Sequence, residues 1–310
     1  MKRDLLIPSS WSEARLVPLL ASISASTAHP NNIIFLIHWT PSEAEIKQIE
    51  WTIDAWLSEL NETKIITIHY FNNDYQAWHW TWFDRQYLSD QAISDYLYMI
   101  DDDNIFDPDF FEKSLEEFQT HDQPILYSPR IMRRDSWTVQ SQWITWFSWL
   151  MPKYRYAGHD STNPVKMIWA NSLLGSKELF QSIWFDSRFA TTLEDIDFSY
   201  RVSASWVSII VSKIVEIQHM EREKSFLEKK FLWSPTQAYE RSKNRILFAK
   251  KNASSVQKLQ YFGLGLWAQT VWFLWLALLY GGTERRLMIQ NILRGTKDGI
   301  RNESGKSFIL

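Results

Sequence analysis

Three carboxylates in a row stand at the end of an apolar run in YLYMIDDDNIF, residues 96–106. Adjacent like charges repel, so stability alone gives no reason to place Asp101, Asp102 and Asp103 together; a bound cation does. A hard divalent ion such as Mg or Mn takes oxygen ligands, often one or two carboxylates completed by substrate phosphates. Side chains alternate along an extended segment. Asp101 and Asp103 are therefore expected on one side, toward the ion, with Asp102 on the other, toward a nucleotide or a backbone donor. A second acidic group, Glu194, Asp195 and Asp197, lies in TTLEDIDFSYR. Paired carboxylates, one desolvated by its neighbours, make a general base. Each group also has a plain reading: a solvated acidic turn for the first, and a helix N-terminus whose dipole favours acids for the second. His219 closes a β-branched run, and neutral imidazole is a common metal ligand, although a lone His is more often structural.

The elements that must position these groups follow from periodicity. DLLIPSS, NNIIFLIH, KIITIHYF and DYLYMI are short apolar strands, the last ending on the aspartates. Between them, SEARLVPLLASISAS spaces Leu16, Leu19, Leu20 and Ile23 as a helix does, PSEAEIKQIEWTIDAWLSEL is a second helix, and DRQYLSDQAIS a third. DPDFFEKSLEEFQ is a helix starting at Asp107 or Pro108. This β-α-β-α-β-α-β order implies a mostly parallel sheet with helices on both faces. Such sheets bind ligands beyond the carboxyl ends of their strands, where the aspartates lie. After residue 120 the pattern is less regular. QPILYSPRIM holds a strand, residues 135–165 read as a long loop or insertion, and PVKMIWANSLLGSKELF as strand, turn and short helix. TTLEDIDFSYRVSAS is a helix with Asp195 near its start, and VSIIVSKIVEIQH a strand ending on His219. From about 221 the chain is basic and helical. The expected division is a catalytic domain over 1–220 and a helical region over 221–310, with the apolar segment 261–280 inside it. That segment is long enough to span a bilayer. Its basic flanks on both sides fit a helix lying on a membrane surface better than a span; a helix packed on the protein is the alternative.

Composition narrows the partners. The 310 residues carry a net charge of -3 with 22% charged and 45% hydrophobic residues, and no cysteine. Nucleic acid is not an expected partner, and disulfides and thiolate metal sites are excluded. The start, MKRDLLIPSSW, lacks the apolar core of a signal peptide, which predicts a cytoplasmic site of action. One count is abnormal: 18 Trp against 9 Gly, where roughly 7% glycine is usual. Trp78, Trp80 and Trp82 alternate in a polar segment, Trp39 falls where a turn is expected, and Trp206 follows SAS. Glycine suits each of these positions better. The pattern predicts that many of these residues are glycine in the living protein, as happens where UGA is read as glycine. A Trp-rich surface stacking on sugars is the competing reading.

DLLIPSS, DYLYMIDDD and IWFDSRFATTLEDIDFSYRV together resemble a family 2 glycosyltransferase of the GT-A fold. Members carry a D-x-D motif after the fourth strand, then a Gly-Phe-Asp segment, a Glu-Asp pair, an Asp and an Arg. Phe185, Asp186, Glu194, Asp195, Asp197 and Arg201 fill those places, while Trp184 and Trp206 stand where the family has glycine. The segment QAWHWTWFDRQ is similar to the family's glycine-rich stretch, and the tail ILRGTKDGI to the ending of rhamnosyltransferase-like members. The resemblance implies that Asp101 and Asp103 bind Mg or Mn with the sugar-nucleotide diphosphate, that Asp195 is the base with Glu194 beside it, and that His219 is a metal ligand as in galactofuranosyltransferase-like members. Pro8 and Ser9 would lie at the nucleotide end of the first strand; Asp102, Asp186, Asp197 and Arg201 would serve substrate and nucleotide binding. His38 stands near where many members have a base-contacting acid, a departure that bears on donor choice. The implied reaction is metal-dependent, inverting transfer of a sugar, rhamnosyl from dTDP-rhamnose or galactofuranosyl from a UDP-sugar, to a glycan or lipid-linked acceptor at the inner face of the cell membrane, in cell-surface polysaccharide synthesis. Two rivals remain: a nucleotidyltransferase on a similar sheet, for which PSSWSEAR offers only Arg15 as a phosphate ligand, and a non-catalytic sugar-binding protein.

Overall fold

A computed structural model describes residues 2–9, 12–38, 42–61, 65–71, 87–139, 143–149, 154–156, 165–169, 171–186, 188–189, 192–220 and 234–302. The apolar runs become strands because both of their faces are covered. Arg3–Ser9 (β1) pairs in parallel with Asn32–His38 (β2) on one side and with Tyr96–Ile100 (β4) on the other, and β2 pairs with Ile65–Phe71 (β3). Strands buried on two sides read as continuous apolar stretches rather than alternating ones. Leu5, Ile7, Ile33, Phe35, Tyr98 and Ile100 face one helical layer; Leu6, Ile34, Leu36, Leu97 and Met99 face the other.

The first layer holds Glu13–Ser24 (α1), Glu43–Asn61 (α2) and Phe110–Gln119 (α3). The helical spacing read from Leu16, Leu19, Leu20 and Ile23 does bury all four. α2 does the same with Ile49, Ile53, Leu57 and Leu60. α3 starts later than expected, with Asp109 as its N-cap. The second layer holds Lys177–Ser182 (α4) and Glu194–Ala204 (α5). A helical stretch covers residues 87–91.

Beyond β4 the sheet turns mixed. Ser172–Ser176 (β10) runs antiparallel between β4 and Ile125–Arg133 (β6); Ser208–His219 (β11) is parallel to β6; and Asn104–Phe106 (β5) closes the far edge antiparallel to β11. The order is β3-β2-β1-β4-β10-β6-β11-β5. The region 135–165, expected to be a long loop or an insertion, contributes Trp143–Phe147 (β7) and Tyr154–Tyr156 (β8). With Met167–Ile168 (β9) they form a small separate sheet. These strands are too short and aromatic to announce themselves by alternation.

The β4–β5 connection dictates the shape. Ile100 and Asn104 are four peptide steps apart, a reach of about 14 Å at most. In a flat sheet their strands would lie four spacings apart, about 19 Å. The sheet therefore curls until its edge returns toward its middle, and the aspartates are the link that spans the gap.

The C-terminal region forms Pro235–Asn252 (α6), Ser255–Gln260 (α7), a π-helical turn at Tyr261–Gly265, Leu266–Tyr280 (α8) and Arg285–Arg301 (α9). α6 begins with a capping box in which Ser234 and Gln237 satisfy each other's backbone N–H groups. Ile246, Leu247, Phe248 and Ala249 of α6 pack with Phe189, Leu193 and Ile196, so this helix is built onto the start of α5. The expected helix around 221–233 lies outside the described residues.

Trp206 and Trp137 have positive φ, 68° and 51°. Trp206 follows the C-cap Ser205 of α5 and is 95% exposed. That is the helix C′ position at which a left-handed residue is usually glycine. Trp149, by contrast, is buried and stacks on Phe248 with centroids 5.6 Å apart. Trp39, Trp78, Trp80 and Trp82 lie outside the described residues.

Candidate active site

The aspartates do not continue the strand. β4 stops at Ile100, and Asp101–Asp103 form the turn into β5. The alternation expected for Asp101 and Asp103 therefore does not apply, and the three residues make different contacts. Asp101 holds the turn's base through its backbone: its N–H donates to Asn171 O at 3.0 Å, and its carbonyl accepts from Asn104 Nδ2 at 3.0 Å. Asp102 is buried, and its Oδ2 accepts from Ser9 Oγ at 2.6 Å. The end of β1 and the acidic turn thus meet, with Pro8 the residue before Ser9. Arg15 on α1 approaches Asp102 at 4.0 Å from a largely exposed position.

Asp103 turns toward β11. In the β5–β11 register His219 stands opposite Asn104, and Met220 N–H donates to Asp103 O at 2.8 Å. This brings His219 Nε2 to 3.1 Å from Asp103 Oδ2. Burial raises the Asp103 carboxyl's affinity for a proton, but the hydrogen bond and charge of His219, with Arg15, outweigh it and hold the pKa below its ordinary value. The other oxygen, Asp103 Oδ1, is buried without a hydrogen-bond partner among the described residues. A buried carboxylate oxygen left over beside an imidazole suits a cation. Among the described residues no three His, Asp or Glu side chains form a cage by themselves. The arrangement therefore fits an ion held by Asp103 and His219 and completed by phosphate oxygens and water, the usual habit of Mg.

The second acidic group opens α5. Glu194, Asp195 and Asp197 are all buried. Asp195 Oδ1 accepts the Ile196 N–H at 2.7 Å, which fixes the carboxylate at the amino end of the helix, where negative charge is favoured. Ser199 ties this end to β9: its Oγ donates to Asp195 O at 2.7 Å and accepts from Ile168 N–H at 3.1 Å. Because β9 leads through residues 169–171 into β10, and Asn171 bonds Asp101, one short segment links the two acidic groups.

Asp186, Asp197 and Arg201, expected to serve substrate, belong to one charged network. Asp197 is fully buried. It accepts from Arg201 Nε, Lys251 Nζ and Asn252 Nδ2, each at 2.8 Å. Asp186 accepts from Arg188 Nη2 and from Lys251 Nζ, each at 2.6 Å. Burial raises the Asp186 carboxyl, yet Arg188 and Lys251 more than reverse this and hold it well below the usual carboxylate range. Arg201 also donates to the Trp184 carbonyl. Phe185 stacks on Phe198 of α5 with centroids 4.2 Å apart. The Phe-Asp segment is thus clamped to α5 and α6. Lys251, Asn252 and Asn244 were not singled out by sequence, because they sit in a basic helix whose only visible signal is its helical pattern.

No known family's sequence profile matches the chain, and no curated protein matches it. Among solved structures it is similar to S. aureus TarS residues 1–349. The TM-score is 0.54 and the identity 12%, covering 98% of this chain and 92% of that one. The same protein in complex with UDP-GlcNAc matches with a TM-score of 0.53, 12% identity and coverage of 98% and 93%. Its complex with UDP gives 0.52, 12%, 98% and 92%. At this identity the likeness shows the fold: the chain has the mixed α/β, GT-A-type architecture read from its sequence.

Proposed function

We propose that the protein is a glycosyltransferase that moves a sugar from a nucleoside diphosphate donor to a glycan or lipid-linked acceptor with inversion. The observation that carries this is the convergence of Ser9, Asp102, Asp103 and His219 at the carboxyl end of β1 and β4, beside an orphaned buried carboxylate oxygen. A diphosphate with its cation is the ligand that this donor set suits. Ser9 and Asp102 would position the nucleotide, and Asp103 and His219 would hold Mn or Mg. The ion, when bound, supplies positive charge next to the departing diphosphate. Asp195 would accept the acceptor's hydroxyl proton as that oxygen attacks the anomeric carbon. The bond to the diphosphate oxygen breaks and the electron pair leaves with it. Glu194, the residue before it, is buried as well. Most of the rate would come from positioning and preorganised charge. That the similar fold of S. aureus TarS binds UDP and UDP-GlcNAc favours a UDP-sugar over dTDP-rhamnose as donor.

The same reading places the enzyme at the inner face of a membrane. Residues Ser255–Tyr280 are long and apolar enough to cross one, and their most apolar stretch is largely exposed. Leu259, Leu264, Val271, Leu278 and Leu279 are each at least half exposed. Lys258 precedes this face and Arg285 and Arg286 follow it, as in a helix lying on an anionic surface.

The test is a panel of UDP- and dTDP-sugars with and without Mn, followed by thermal shift and donor hydrolysis. A UDP-sugar is expected to raise the melting temperature and to be turned over only with the metal. Indifference to every nucleotide sugar would sink the reading.

A further inference from the structure

The start of α5, which carries Glu194 and Asp195, lacks the local device that normally begins a helix. Its N-cap is Leu193, whose side chain makes no capping hydrogen bond and whose backbone is left-handed, with φ 69° and ψ 3°. A left-handed conformation costs a non-glycine residue on the order of 1 kcal/mol, and such strain persists only where the surroundings over-determine it. The surroundings here are α6. Asn244, fully buried on that helix, donates from Nδ2 to Thr192 O at 2.7 Å and to Thr192 Oγ1 at 3.1 Å. Thr192 is the residue before Leu193. Two turns further along α6, Lys251 and Asn252 hold Asp197. The helix therefore grips α5 on both sides of Asp195.

α6 is in turn seated on α9. A Cβ at Gly295 would collide with the Tyr239 carbonyl oxygen, and one at Gly299 would lie 2.9 Å from the Lys243 carbonyl oxygen. Tyr239 donates to Asp298 at 2.8 Å. The glycines of the tail ILRGTKDGI are what let the two helices close to backbone contact.

We propose that α6 is a brace for the catalytic carboxylates, with Asn244 the positioning residue that sets the α5 turn and so the direction of Asp195, and Lys251 its second fastening. The helical C-terminal region is then part of the active-site apparatus rather than an appendage. This rests on Asp195 acting as the base.

Two measurements on the full chain test it. Hydrogen exchange reads the amides of residues 194–197 in Asn244→Ala and Lys251→Gln. They are expected to exchange faster than in the unaltered protein, with β1 and α1 unchanged. Kinetics are expected to show a kcat about 100-fold lower for Asn244→Ala, the scale of a 1 Å misplacement, with the donor KM within about twofold. Lys251→Gln, nearer the surface and so tolerant of folding, should lose about 10-fold, and Lys251→Arg should recover most of it. A lower melting temperature with unaltered exchange at 194–197 and unaltered kcat would overturn the brace. Donor hydrolysis by the unaltered chain is followed alongside: its absence counts against the glycosyltransferase reading, while the exchange data still decide whether α6 holds the turn.

Discussion

At the scale of single residues, the aspartates that open α5 have unlike surroundings. Asp195 accepts a short bond from its own helix, whereas Asp197, two residues on, accepts from two cations, Arg201 and Lys251, and the amide of Asn252. On the proposed function, Asp195→Asn keeps the shape and removes the base. It is expected to slow transfer by about 10²–10⁴-fold, the usual contribution of a positioned base, while UDP binding by calorimetry stays near that of the unaltered protein. The tryptophans make a second prediction at this scale. An indole at a left-handed C′ position, 95% exposed, gains no burial to offset its strain. Trp206→Gly is expected to stabilise the recombinant protein by about 1 kcal/mol, read from urea midpoints. The protein purified from its own cells should carry glycine there by mass spectrometry. The identities of the acidic residues were legible in the sequence because like charges at a strand end and a helix start are costly without a purpose. Their partners were not. Ser9 and Asp102, or Asp103 and His219, meet only through the sheet's register, and the expected strand-like alternation failed because the chain turns at Asp101.

At the scale of elements, the segment from Trp184 to Arg188 is stapled to α5 and α6 by charge. The Asp186 carboxyl has its pKa lowered from an ordinary 3.8. Its contribution to stability is therefore complete above about pH 4 and is lost as the pH falls below that toward the folded-state value. Asp186→Asn should be less stable than the unaltered protein at neutral pH, and the gap should narrow on acidification through this window. A constant gap from pH 6 to 2.5 in thermal melts would show that the ion cluster contributes nothing. The strands and long helices were readable, because β1, β2 and β4 are buried on both faces and α1 and α2 on one. β7, β8 and β10 were harder. β10 is five residues long and its place between β4 and β6 is set by partners distant in sequence.

At the scale of the molecule, the exposed apolar face from Leu259 to Leu279 stands out against an otherwise ordinary surface. Leucine and valine carry it, so it survives if the neighbouring tryptophans are glycine. The protein is expected to co-sediment with vesicles containing phosphatidylglycerol and less with neutral ones, and to be released as salt rises. Leu264→Asp with Leu278→Asp should abolish sedimentation and leave donor hydrolysis intact. Equal sedimentation of the double variant would place the contact elsewhere. The parallel part of the sheet was legible from strand and helix order, but its antiparallel part and the brace were not, since nothing in TQAYERSKNRILFAKKN says which of its polar residues face inward.

The order of strands also has a consequence for synthesis. β4 leaves the ribosome with one edge paired to β1, while its other neighbour, β10, lies more than 70 residues downstream. At about 5–20 residues per second, that edge waits several seconds for its partner. An apolar strand with an open edge is the kind of surface that recruits other chains. Nascent copies of this chain should therefore be chaperone clients until residue 176 has emerged.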